Sequence, residues 1–126
     1  MSNIKNISGY EVFANTAITR LDLPAIETIS QRGLSGCHNC GIVDLGPNLS
    51  YIGNQAFWDG AYTTFIFRGT TVPTFDMTNS SGKFLFNMNN VAIYVPESAL
   101  SDYQTAWPQM ASNMVKIEGS VYDTQS

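Results

Sequence analysis

Apolar and polar residues along the chain fall into short triplets that return at a nearly fixed interval. Leu21-Asp22-Leu23, Val43-Asp44-Leu45, Phe65-Ile66-Phe67 and, after a longer gap, Ile93-Tyr94-Val95 occupy corresponding places. Side chains alternate along a β-strand, so each triplet is read as a strand whose outer two residues point inward and whose middle residue points out. Pro24, Pro47 and Pro96 follow three of the triplets and end the strands, because proline cannot donate to a continuing ladder. Further on, Ile26 with Ile29, Leu49 with Ile52 and Val72 with Phe75 repeat a three-residue spacing that predicts a second inward ledge. Asn, Gly and Ser fill the bends.

Longer stretches repeat as well. Phe13 to Ile29, Leu34 to Ile52 and Phe57 to Phe75 fill one template of apolar positions, and their leading residues lie 21 and 23 apart. Such a period marks a stack of repeats, each burying its apolar face on the next. A stack presents a continuous surface with few buried clefts, so binding is its default activity.

The polar stretch from Asp76 to Asn90, with Lys83-Phe84-Leu85-Phe86 inside it, interrupts the rhythm and lengthens the last repeat. After Pro96, Ser98 reads as an N-cap. Leu100, Tyr103 and Trp107 then share one helical face, which predicts a capping helix over about 98–107, stopped by Pro108. Val115 and Ile117 suggest a last strand. The expected organisation is one repeat domain over 1–118 and a polar tail over 119–126. At the other end only Ile4, Ile7, Tyr10 and Val12 are available as cover. A first ladder of Leu21, Leu23, Ile26 and Ile29 left bare would expose more apolar area than soluble monomers carry. This implies self-association through the N-terminal end, or a missing N-terminal portion.

Charge narrows the partners. A net charge of −4 with six Lys and Arg, none clustered, argues against nucleic acid or an anionic membrane. No apolar run approaches the roughly 20 residues of a spanning helix, so membrane insertion is not expected. Met1-Ser-Asn-Ile-Lys5 lacks the apolar core of a signal peptide. The expectation is a fragment of a longer exported protein, or a product that leaves the cell by another route, such as a phage particle.

Two constellations could carry chemistry. Cys37-His38-Asn39-Cys40 has redox-pair spacing, but a reactive pair needs its first Cys at a helix N-terminus, and here a strand follows. One Cys pair and one His are too few for a structural zinc site, so packing is the preferred role and a metal or redox role would need a second chain. Asp22 and Asp44 occupy outward positions on neighbouring strands, about 4.8 Å apart. Like charges so stacked raise one pKa or attract a cation, unless Arg20 neutralises them. Glycoside hydrolysis would need carboxylates about 5–9.5 Å apart across a cleft, which a flat ladder lacks. No enzyme and no cofactor is expected. In register, Arg20, Ile42, Thr64 and Ala92 form one outward row, and Asp22, Asp44, Ile66 and Tyr94 the next. Ile42, Ile66 and Tyr94 make this face less polar than a solvated sheet. It is a ligand-binding candidate comprising Arg20, Asp22, Ile42, Asp44, Thr64, Ile66 and Tyr94, unless the terminal loop or a second copy covers it.

Leu34-Ser-Gly-Cys37 and Ile52-Gly-Asn-Gln-Ala-Phe57, followed by the ending Ala92-Ile-Tyr-Val-Pro-Glu-Ser-Ala-Leu-Ser-Asp-Tyr-Gln-Thr-Ala-Trp107, resemble the BspA-type bacterial leucine-rich repeats over roughly residues 7 to 118. The resemblance implies an α+β repeat fold: a short right-handed leucine-rich-repeat solenoid with one parallel sheet and a C-terminal capping helix. It places Cys37 at the family's small buried position and Cys40 where the pattern has Leu. It implies no catalytic residues. It implies instead binding of a protein or glycan ligand on a host or another cell, hence an extracellular or cell-surface location. The alternative is a part of a larger assembly such as a phage tail.

Overall fold

The computed structural model describes residues 3–9, 13, 16–57, 61–76 and 91–123. Its strands are β1 (Asn6–Ile7), β2 (Arg20–Leu23), β3 (Thr28–Ile29), β4 (Ile42–Leu45), β5 (Tyr51–Ile52), β6 (Thr64–Phe67), β7 (Thr74–Phe75), β8 (Ala92–Val95) and β9 (Met114–Lys116), with helix α1 (Leu100–Ala106) between the last two. They form two sheets in the orders β1-β3-β5-β7 and β2-β4-β6-β8-β9, with every pairing parallel. The protein is an α/β fold with two parallel sheets and one short helix among the described residues.

The four triplets are strands β2, β4, β6 and β8, and Leu21, Val43, Phe65 and Ile93 are register partners with no exposed surface. The expectation of a single sheet is corrected. The second ledge also pairs along its backbone: Ile7, Ile29, Ile52 and Phe75 stand in register across β1, β3, β5 and β7. Each of these strands is two residues long, one polar or aromatic and the other apolar. That is enough to repeat a ladder when successive returns lie side by side. Ile7, Ile29 and Ile52 join the β2-β4-β6-β8 ladder in one buried cluster, with Phe75 partly buried against it.

Close approach of successive segments sets two glycines. A Cβ on Gly46 would lie 2.1 Å from Pro24 O, and one on Gly53 2.3 Å from Gln31 N. No side chain fits between backbones at those distances.

The core grows aromatic toward the C-terminal end. Phe57 meets Phe65 at 4.9 Å between ring centroids, Phe67 meets Trp107 at 5.2 Å, and Trp107 meets Tyr103 at 5.3 Å, all near edge-to-face, the favoured geometry for such pairs. Helix α1 places Tyr103 and the adjoining Trp107 into this cluster as its pattern predicts, and Tyr103 Oη donates to Gly69 O at 2.9 Å. The predicted Ser98 cap is corrected: Glu97–Ala99 forms a 3-10 turn, and Ala99, with no side-chain hydrogen bond, is the N-cap. After Trp107, Pro108–Asn113 continues as a 3-10 helix.

The bare first ladder is corrected too. Leu21, Leu23, Ile26 and Ile29 have no exposed surface. Strand β1 extends the four-stranded sheet past β3, with Glu27 and Ser30 N–H groups donating to Lys5 O and Ile7 O. Ile4, Phe13 and Ile18 pack against the same core. The expected contributions of Tyr10, Val12 and the interruption at 77–90, including 83–86, lie outside the described residues.

Candidate functional site

The outer face of the five-stranded sheet carries the sequence-predicted site residues in the predicted rows. Arg20, Ile42, Thr64 and Ala92 are register partners, as are Asp22, Asp44, Ile66 and Tyr94, and β9 adds Val115 beside Tyr94. Arg20 and Asp22 are exposed, whereas Ile42, Asp44 and Thr64 are half-buried.

Two arginines hold the stacked carboxylates. Arg20 Nε donates to Asp22 Oδ1 at 2.8 Å and a terminal nitrogen lies 3.5 Å from Asp44 Oδ2. From the other side Arg68 grips Asp44 with both oxygens engaged, Nε to Oδ1 at 2.8 Å and Nη2 to Oδ2 at 2.9 Å. Such a bidentate pair fixes geometry as well as charge. The hydrogen bonds to Asp44 raise the Arg68 pKa further, against the opposing effect of its partial burial. Neutralisation by Arg20, expected from its position two residues before Asp22, is therefore half of the arrangement.

Arg68 is the residue that sequence reasoning missed. It lies two residues beyond Ile66, so it shares the outward side of β6, one strand over from Asp44. Extending the outward rows past the triplets would have found it.

Half of this face is covered. Ile66, expected to face outward and to be available unless the terminal loop or a second copy covered it, has no exposed surface. The segment expected to be a polar tail returns across the sheet instead. Arg68 Nη1 donates to Tyr122 O at 3.0 Å, and the Tyr122 ring packs edge-on to Tyr94 at 4.8 Å. Gly119, at φ +84°, opens the turn, and its N–H donates to Asp123 Oδ2. Ile66 sits between Asp44 and Tyr94 in register, next to the Tyr94 ring that Tyr122 meets. Ile66 is thus withdrawn from the candidate surface and Tyr94 is half-buried, which leaves Arg20, Asp22, Ile42, Asp44 and Thr64 as its open part.

Two grooves flank Arg68 at the C-terminal ends of the strands. One, of about 250 Å³, is lined by Asp22, Leu23, Pro24, Asp44, Gly46 and Pro47 together with Arg68. The other, of about 310 Å³, lies between Arg68, Thr70, Pro96, Ser98, Glu118 and Asp123.

The cysteines are inside. Cys37 and Cys40 are free and buried, their thiols donating to Phe13 O and Ile42 O. Burial, and then the neighbouring Cys37, pushes the Cys40 thiol up to about 12. That is the opposite of what nucleophilic or redox chemistry requires. Tyr62, whose hydroxyl donates to Leu34 O at 2.6 Å, is raised by the same burial. His38 is exposed in the turn between the cysteines. No cluster of three metal-ligating side chains forms among the described residues, and no helix among them is long and apolar enough to cross a membrane. No protein-family model and no curated protein matches this chain.

Proposed function

We propose that the chain is a short right-handed solenoid of the leucine-rich-repeat type, working as a non-catalytic binding module for a protein or glycan at the outside of a cell. The open half of the five-stranded face is its binding surface. What carries the reading is the row-on-row alignment of Arg20, Asp22, Ile42, Asp44 and Thr64 on three neighbouring strands. Strict parallel register brings charged, hydroxyl and apolar groups together on one open surface. The steps from Leu21 to Val43 to Phe65 along the inward ladder, and the resemblance of Ile52 to Phe57 and of Ala92 to Trp107 to leucine-rich repeats, support the repeat architecture and the exported location.

The test is a screen of the immobilised chain against glycan arrays and extracellular proteins, repeated with Thr64→Arg and Ile42→Arg. A ligand of this face binds the parent chain and is lost in both variants while their thermal unfolding stays unchanged. A ligand that binds both variants as before contradicts the assignment of the face.

A further inference from the structure

The groove beside Gly46 has a make-up that selects among ligands. Gly46 places no side chain there, and the exposed Pro24 and Pro47 give the groove apolar surfaces while Asp22 and Arg68 give it charged ones. Both charged groups keep unspent hydrogen-bonding capacity. Asp22 accepts from Arg20 through Oδ1, and its Oδ2 has no partner among the described residues. Arg68 commits Nε and one N–H of each terminal nitrogen to Asp44 and Tyr122 O. A guanidinium has five N–H groups, so one on each terminal nitrogen has no described partner. Charge is balanced: Asp22 and Asp44 face Arg20 and Arg68. A cationic ligand would meet Arg68, and an anionic one would meet Asp22.

We propose that this groove binds a single neutral sugar ring, the end of a glycan, so that the ligand of the binding module is a carbohydrate; the proposal rests on the binding-module reading above. A sugar hydroxyl both donates and accepts, so adjacent hydroxyls satisfy Asp22 Oδ2 and the free N–H groups of Arg68 together. The C–H face of the ring lies on Pro24 and Pro47. The volume of about 250 Å³ falls just below the roughly 300–1,000 Å³ of ordinary small-molecule sites, which suits one ring and not an extended chain. A peptide amide also donates and accepts, but it brings no apolar face to the prolines.

Saturation-transfer NMR on the full chain tests this, with methyl glycosides of neutral hexoses and N-acetylhexosamines as probes and an uncharged peptide containing Asn and Gln alongside. At least one glycoside is expected to receive saturation and the peptide none. Asp22→Ala, at an exposed position, should weaken the glycoside about tenfold or more, as loss of a hydrogen bond to a charged group does, with an unchanged unfolding midpoint. Asp22→Asn, which keeps an acceptor, should fall between. The proposal is overturned if no glycoside binds, if the peptide binds in their place, or if Asp22→Ala binds as well as the parent. A ligand lost with Thr64→Arg but indifferent to Asp22→Ala overturns the groove alone and leaves the binding face standing.

Discussion

Asp44 is where the charges of the outer face converge, and its neighbour Asp22 is a natural control. The Asp44 side chain is 14% exposed and held by two arginines, whereas that of Asp22 is 57% exposed and bonded to one. Removing one partner of a well-buried pair strands the other charge at about 3–5 kcal/mol, while an exposed pair is worth about 0–1 kcal/mol. Asp44→Ala, between these limits, is expected to cost about 1–3 kcal/mol in urea unfolding and Asp22→Ala less than about 1 kcal/mol. Equal costs would show that Arg68 does not depend on Asp44. The carboxylate pair was legible in the sequence because period-two alternation places both middle residues outward. Arg68 was not, because it lies beyond the apolar triplet that marks the strand. The burial of Cys37 and Cys40 was legible because the pair suits neither a redox helix nor a zinc site, and because the resemblance puts them at a small buried position and a Leu position. The neighbouring Tyr62 hydroxyl, tied to Leu34 O 28 residues away, left no local signal.

Among the elements, strands β2, β4, β6 and β8 announce themselves through paired apolar positions, and the register follows from keeping those positions on one side. Val43 and Ile42 test that register, since they are adjacent in sequence and on opposite faces of β4. Val43→Asp would place an unpaired charge between Leu21 and Phe65, at a cost of several kcal/mol, and should leave the chain unfolded or insoluble. Ile42→Asp, facing outward, should remain folded and soluble, as read by circular dichroism. The opposite outcome would mean that the strand is turned over. The four-stranded sheet was harder to read. Two-residue strands such as Thr28–Ile29 and Tyr51–Ile52 are too short for alternation to show, and only their apolar member appeared, as a ledge. Helix α1 was legible from Leu100, Tyr103 and Trp107. Its start was displaced because residues 97–99 close a 3-10 turn on Pro96 O before the helix begins.

At the scale of the molecule, the ends depart furthest from the sequence reading, because covering the end of a sheet depends on contacts distant along the chain. Strand β1 and the residues packed with it cover the ladder expected to be bare, which removes the apolar argument for self-association through that end. At the other end, residues 119–123 fall in the stretch expected as a polar tail, yet Tyr122 reaches Tyr94 and Arg68 and closes half of the sheet face. What remains open is a surface on β2, β4 and β6, and the account stands on its being the place where a ligand sits. The direct measurement is a map of backbone-amide and methyl NMR shifts on addition of the tightest ligand from the screen. The account predicts shifts clustered at Arg20, Asp22, Ile42, Asp44 and Thr64. Shifts centred on Thr28, Tyr51 and Thr74 of the four-stranded sheet, or on α1, with none at those five residues, would contradict it.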